Sequence, residues 1–268
     1  MLAAACATGA FALSGCAKQQ IVTGEMSYVS WGTTYGVKVT VQVQTDKKGD
    51  RIRKVEIAPS DLVEASPASG AWDPSVWDGN LQALLNAYRG EYVADVLALE
   101  VATDGSGAPL IKGDGGFENF GDDKLIAGAT LGSGRLLLAV QNALKTFEGY
   151  ACADGEYGYE SWGTNYGAKV RVVAKDGVIQ RVRTLSSDYT NATLTQSWKA
   201  SLWYDAEADI LAAYEGKTVE EVKAVVGAVE GQNGATGNSV SDSGLLASGA
   251  TVSSARLLLA VQNALSKF

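Results

Sequence analysis

Val37, Val39, Val41 and Val43 are separated by Lys38, Thr40 and Gln42. β-Branched residues at a period of two predict a strand with one buried face. The alternation returns at Ala168, Val170 and Val172. A turn follows each run, Lys47-Lys48-Gly49-Asp50 in one case and Lys175-Asp176-Gly177 in the other. Asp-Gly between apolar runs signals a hairpin whose turn positions both take positive φ. Return strands are expected over Ile52 to Ile57 and over Val178 to Leu185. Leu84, Leu85 and Tyr88, and later Ile210, Leu211 and Tyr214, fall at helical spacing, with Gly90 and Gly216 as stops. Short second helices are expected over Val93 to Leu99 and Val219 to Val226. A last helix puts Leu136, Leu137, Val140 and Leu144 on one apolar stripe.

The elements come twice because the chain repeats itself. Arg135 to Leu144 and Arg256 to Leu265 both read RLLLAVQNAL. Ser30-Trp31-Gly32-Thr33-Thr34-Tyr35-Gly36 returns as Ser161-Trp162-Gly163-Thr164-Asn165-Tyr166-Gly167. Trp72 and Trp77 match Trp198 and Trp203, with the same spacing. The pattern predicts an α+β protein of two tandem homologous domains, residues 27–149 and 150–268. Each is an antiparallel sheet that opens with a β-hairpin and is packed with helices.

Composition narrows the function. The formal net charge is −8, whereas a nucleic-acid binder presents a basic face, so no nucleic-acid partner is expected. There is no histidine, which removes imidazole bases and imidazole metal ligands. Cys6, Cys16 and Cys152 form no C-x-x-C pair, so neither a disulfide framework nor a thiolate zinc site is expected. The loop from Gly113 to Asp123 is acidic but lacks EF-hand spacing, so it reads as solvated and no metal site is assigned.

Met1 to Leu13 is small and apolar, the length of a signal-peptide core and too short for a membrane span. It runs into Leu13-Ser14-Gly15-Cys16, which resembles the lipobox of bacterial lipoproteins. That resemblance implies a signal peptide over residues 1–15, lipid on Cys16, and a tether over 16–26. No Lys or Arg precedes the apolar run, so a basic segment is expected upstream of Met1. An ordinary secretory peptide cut near Ala17 is the alternative. Either way the protein is exported.

The same tripeptide precedes each copy of the decapeptide: Gly128-Ala129-Thr130 and Gly249-Ala250-Thr251. Ser133 and Ser254 follow each threonine, and Ser248 precedes the second tripeptide. Glycine lets a backbone come close to a ligand. A helix start offers unpaired N–H groups and a positive dipole end, which favour an anion such as phosphate. The plain reading is a threonine helix cap, worth about 1 kcal/mol. The doubling favours a site. Gly234-Ala235-Thr236 meets no helix pattern and reads as loop.

With S-G-A-T-x-x-S at Ser248 to Ser254, the A-V-x-x-A-L helix at Ala260 to Leu265, the aromatic-glycine segment at Trp162 to Gly167 and the Asp-Gly turn, the second repeat resembles the FMN-binding domain. That domain occurs in flavin-bearing components of the Na⁺-translocating NADH:quinone reductase and of the Rnf complex, and in tandem in Gram-positive lipoproteins of extracellular electron transfer. The resemblance covers most of residues 27 to 268. It implies two FMN groups, joined through phosphate to Thr130 and Thr251 by a flavin transferase that uses FAD and Mg²⁺. It also implies cofactor contacts from Gly128, Ala129, Ser133, Ser248, Gly249, Ala250 and Ser254. Trp31, Tyr35, Trp162 and Tyr166, repeated and next to glycines, are candidates to stack on the flavin ring; the plain alternative is half-buried hairpin or core residues. Where the family has an acidic residue six positions before the threonine, this chain has Lys124 and Leu245. Ala127 stands where serine is common.

No substrate-converting residues stand out, so an electron carrier at the outer face of the cell membrane is expected rather than an enzyme. Its partners would be a membrane NADH or quinone dehydrogenase and a surface reductase or other extracellular acceptor. The alternative is a flavin-free solute-binding or adhesive lipoprotein.

Overall fold

The valine-rich strand from Val37 is the middle strand of three, not the first of a hairpin. The structure is a computed structural model that describes residues 18–30, 32–63, 74–101, 130–161, 163–185, 200–226, 244–245 and 251–268. The chain divides into two compact units, Met1–Phe147 and Glu148–Phe268. The first contains β1 (Lys18–Ser30), β2 (Thr33–Asp46), β3 (Gly49–Ile57), α1 (Pro74–Ala87), α2 (Val93–Ala98) and α3 (Thr130–Leu144). The second contains β4 (Tyr150–Ser161), β5 (Thr164–Lys175), β6 (Val178–Thr184), α4 (Ala200–Tyr214), α5 (Val219–Ala224) and α6 (Thr251–Leu265). Both sheets are antiparallel, in the order β1-β2-β3 and β4-β5-β6. The protein is therefore α+β.

The leading strand of each unit is the element that periodicity does not announce. β1 begins at Lys18, so most of the stretch read as a tether over 16–26 is strand instead. Its buried residues are Val22 and Met26, while Ile21 and Val29 are 67% and 68% exposed. Polarity thus fails to follow face. The inward position between Val22 and Met26 is Gly24, where a Cβ would lie 2.2 Å from the Ala143 nitrogen and 2.5 Å from the Ala139 carbonyl oxygen. At Gly155 of β4 a Cβ would lie 2.1 Å from the Ala260 oxygen and 2.3 Å from the Ala264 nitrogen. In each unit the last helix lies directly on the backbone of the first strand, and glycine is what permits that approach.

The repeated Gln-Asn of the decapeptide fixes the same helix at two further points. Gln141 Nε2 donates to the carbonyls of Val96 and Leu99, at 2.9 and 2.8 Å. Gln262 Nε2 donates to Val222 and Val225, at 2.9 and 2.6 Å. Leu99 and Val225 are the C-caps of α2 and α5, so one amide satisfies carbonyls that a helix end leaves open. Asn142 Nδ2 donates to Glu25 O at 2.9 Å, and Asn263 Nδ2 to Glu156 O at 2.7 Å. Leu136, Leu137, Val140 and Leu144 are fully buried, as their stripe predicts. Ala139, Ala143 and the polar Ser133, Arg135 and Gln141 are also buried, so the covered part of α3 is wider than the stripe.

Turns follow the local chemistry. Asp176 and Gly177 have φ of 50° and 77°, the two positive values of a type I′ turn. Gly90 and Gly216, at φ 91° and 81°, end their turns with N–H bonds of 2.8 Å to Ile52 O and Ile179 O. Register shifts at Gln42/Val43 and Val173/Ala174 act as bulges. That is why Val173 and Ala174 are both buried although they are neighbours in sequence. Thr218 and Glu221 form a capping box at the start of α5. Among the described residues, no helix is long and apolar enough to cross a membrane.

Candidate functional site

Thr130 and Thr251 are the first residues of α3 and α6. Their N–H groups belong to the first turn, where no intrahelical acceptor exists. Neither helix has an acidic residue in that turn, so no side chain of the turn itself offsets the positive end of the dipole.

Contacts along α3 locate this end. Asn142 meets Glu25, Ala139 and Ala143 meet Gly24, and Arg135 meets Tyr28. The helix therefore runs antiparallel to β1, and its first residue lies toward the β1–β2 turn. The five residues from Thr130 to Arg135 rise roughly 7.5 Å, about two strand residues beyond Tyr28. That is the Ser30 end of β1. In the second unit Asn263, Ala260 and Arg256 meet Glu156, Gly155 and Tyr159 in the same order. Thr130 and Ser30 thus converge at one end of the first unit, and Thr251 and Ser161 at the same end of the second, although each pair is far apart in sequence.

Further along the same helix and strand, in each unit, lies a cluster of one arginine and two tyrosines. Tyr28 and Tyr35 are register partners across β1 and β2, stacked with centroids 5.7 Å apart. Tyr159 and Tyr166 pair likewise across β4 and β5, at 5.4 Å. The Arg135 guanidinium carbon is 4.7 Å from the Tyr28 ring centroid, and Arg256 is 4.5 Å from that of Tyr159. Each arginine also donates from Nη2 to the hydroxyl of the same tyrosine. Both arginines are only 5% exposed. Burial pushes both guanidinium pKa values down, yet arginine remains cationic. Burial also pushes the Tyr159 hydroxyl up, so it stays a neutral partner.

Of the residues singled out from sequence, Tyr35 and Tyr166 belong to this cluster and are half-buried. Ser133 and Ser254 lie one helical turn below the threonines and are fully buried, facing the protein interior. Leu245, which stands where the resemblance suggests an acid, is also fully buried in the second core. Cys16, Trp31, Gly128, Ala129, Trp162, Ser248, Gly249 and Ala250 lie outside the described residues, as does the loop from Gly113 to Asp123. Among the described residues no group of three His, Cys, Asp or Glu side chains could hold a metal ion.

Tyr28, Tyr159, Arg135 and Arg256 are additions that sequence reasoning missed. The signal was present: Gly24-Glu25-x-x-Tyr28-x-Ser30 returns as Gly155-Glu156-x-x-Tyr159-x-Ser161, which extends the aromatic-glycine repeat backward. What the arrangement offers a ligand is consistent in kind. A helix start and a buried guanidinium suit an anion, and paired aromatic rings suit a flat conjugated group. The chain matches no protein-family model, and comparison with curated proteins and with solved structures gives no match.

Proposed function

We propose that this protein is an exported, lipid-anchored electron carrier with one FMN esterified to each of Thr130 and Thr251. The observation that carries the reading is the doubled arrangement of a helix-first threonine and, five residues on in the same helix, a buried arginine held on a tyrosine pair. A mere helix cap needs no such neighbours, and none of them would have to be repeated. The two units are then homologous domains descended from one flavin-binding ancestor.

Maturation is a phosphoryl transfer. The threonine oxygen attacks the flavin-side phosphorus of FAD, the P–O–P bond breaks, AMP leaves, and the hydroxyl proton passes to solvent or to the transferase. FMN when bound supplies reversible electron transfer. This chain's residues would hold it: the threonine as tether, the helix N–H groups toward its phosphate, and the tyrosines, braced by the arginine, as an aromatic wall. Covalent attachment suits an exported carrier, whose cofactor would otherwise diffuse away. A membrane NADH or quinone dehydrogenase is the proposed donor, and a surface reductase or soluble extracellular acceptor the proposed recipient.

The test is co-expression with a flavin transferase, then denaturing gel fluorescence and intact mass. Two FMN adducts are expected, one in each of Thr130→Ala and Thr251→Ala, and none in the double variant. An unmodified mass in the unsubstituted protein overturns the reading and leaves a flavin-free solute-binding or adhesive lipoprotein.

A further inference from the structure

We infer that the two closing helices, α3 and α6, are interchangeable: α6 fits the sheet of the first unit as α3 does, and the reverse, so that two copies of this chain can join by exchanging them. The partner is a second copy of the chain, and the inference holds with or without a cofactor.

Arg135 to Leu144 and Arg256 to Leu265 are identical in sequence, and they are buried in the same way. The six apolar positions that α3 buries completely, Leu136, Leu137, Ala139, Val140, Ala143 and Leu144, are the six that α6 buries completely. The sheets beneath them differ. Met26 faces Val37 across β1 and β2, whereas Tyr157 faces Ala168 across β4 and β5. Bulk lost on one strand returns on the other, the kind of change a core tolerates best, and one helix face covers both arrangements. The bonds that place the helix are blind to the difference. Gln141 and Gln262 donate to main-chain carbonyls at the end of a short helix. Asn142 and Asn263 donate to the main-chain carbonyl of Glu25 or Glu156. Gly24 or Gly155 makes room for the helix backbone, and each arginine meets a tyrosine at the same point of the first strand. Selectivity is a difference between two binding free energies, and these contacts supply none. The differences lie at the helix ends: Leu131-Gly132-Ser133-Gly134 against Val252-Ser253-Ser254-Ala255 before the repeat, and Phe147, 6% exposed, against Phe268, 39% exposed, after it. What assigns each helix to its own sheet is then the tether, residues 99–129 into α3 and residues 225–250 into α6. A tether acts by raising local concentration, and a long one raises it less. When chains fold in company, a neighbour's helix competes for the same place, which is a low-cost route to an exchanged dimer. Two copies offer four sheets and four closing helices, so an exchanged pair leaves no sheet uncovered.

The test uses the full chain with the photo-crosslinking amino acid p-benzoylphenylalanine in place of Tyr28, whose ring meets Arg135 at the start of the repeat. Trypsin releases the helix as LLLAVQNALK from the first unit, Leu136 to Lys145, and as LLLAVQNALSK from the second, Leu257 to Lys267. Mass spectrometry therefore tells which helix lies on β1. The chain is unfolded in urea and refolded at low and at high chain concentration, and the dimer is separated by gel filtration before irradiation. Dilute refolding is expected to link LLLAVQNALK alone. The dimer from concentrated refolding is expected to link both peptides in comparable yield. Tyr35, which stacks on Tyr28, carries the probe if the Tyr28 variant fails to fold. A dimer that links only LLLAVQNALK, or a chain that stays monomeric at every concentration, overturns the inference.

Discussion

Gly155 in β4 lies against Ala260 in α6 so closely that a methyl group on Gly155 would sit 2.1 Å from the alanine carbonyl oxygen. The atoms it would meet include backbone, which cannot swing away as a side chain can. Gly155→Ala must push the helix off the sheet, and overpacking of this kind costs about 1–3 kcal/mol or more. Gly24→Ala is expected to do the same to the first unit through Ala143 and Ala139. Gly163→Ala is the comparison: its Cβ would meet nothing within 4 Å, but its φ is +70°, so only a backbone cost of about 1–2 kcal/mol is expected. Urea unfolding of the three variants should rank the two packing glycines as the more damaging; equal effects would remove the close-packing argument.

Tyr214 gives a prediction of the opposite sign. It is fully buried, and its hydroxyl has no hydrogen-bond partner among the described residues. Burial pushes its pKa far up, so the group stays a neutral, unsatisfied phenol. A buried polar group left unpaired costs about 1–3 kcal/mol. Tyr214→Phe should therefore raise the melting temperature of the second unit. A loss of stability would show that the hydroxyl has a partner in solution.

Gln141 and Gln262 should each hold down a short helix. Replacing either with alanine removes the side-chain donor that reaches the C-cap carbonyl and one carbonyl inside the short helix, at a cost of about 1–3 kcal/mol. Hydrogen exchange should localise the loss to α2 for Gln141→Ala and to α5 for Gln262→Ala. Uniform acceleration across the unit would argue against the clamp.

Acid should loosen the start of α5. Glu221 accepts from the Thr218 backbone N–H at 2.7 Å and from its hydroxyl at 2.9 Å. The backbone bond first, then the side-chain bond, holds the Glu221 pKa below its usual 4.5. The folded value lies below the unfolded one, so the box contributes fully above the ordinary glutamate range and is lost as pH falls through the folded value. The Glu221 carboxyl resonance should titrate below that of exposed glutamates, and Thr218→Val, which removes the hydroxyl but keeps the backbone donor, should raise it only part of the way. A midpoint at or above 4.5 rejects the capping box as a charge-dependent element.

The middle and return strands, the Asp-Gly turn and the glycine stops are legible because each rests on local chemistry: alternating valines, positive φ, a missing Cβ. β1 and β4 are not legible, because Gly24 and Gly155 sit where the pattern would put an apolar side chain. Their environment is made by a helix more than 100 residues away in sequence. The bulge at Val173/Ala174 breaks period two for the same kind of reason. Thr218-x-x-Glu221 is readable as a capping box from the residues alone. At the site, the threonines and the aromatic-glycine repeat are visible in sequence. Arg135 and Arg256 are hidden because an arginine at the head of Leu-Leu-Leu reads as the polar edge of an amphipathic helix; only the tertiary contact with Tyr28 or Tyr159 shows it to be interior.

Because the last helix of each unit covers the first strand, the beginning and end of each unit close against each other. A chain emerging from a ribosome or a secretion channel makes its sheet first, with Val39, Val41, Val170 and Val172 uncovered. It gains its lid only with the final fifteen-residue helix. Such distant closure is slow and leaves sticky intermediates. Any ester at the head of that helix would be added to a segment whose fate decides whether the whole unit has finished folding.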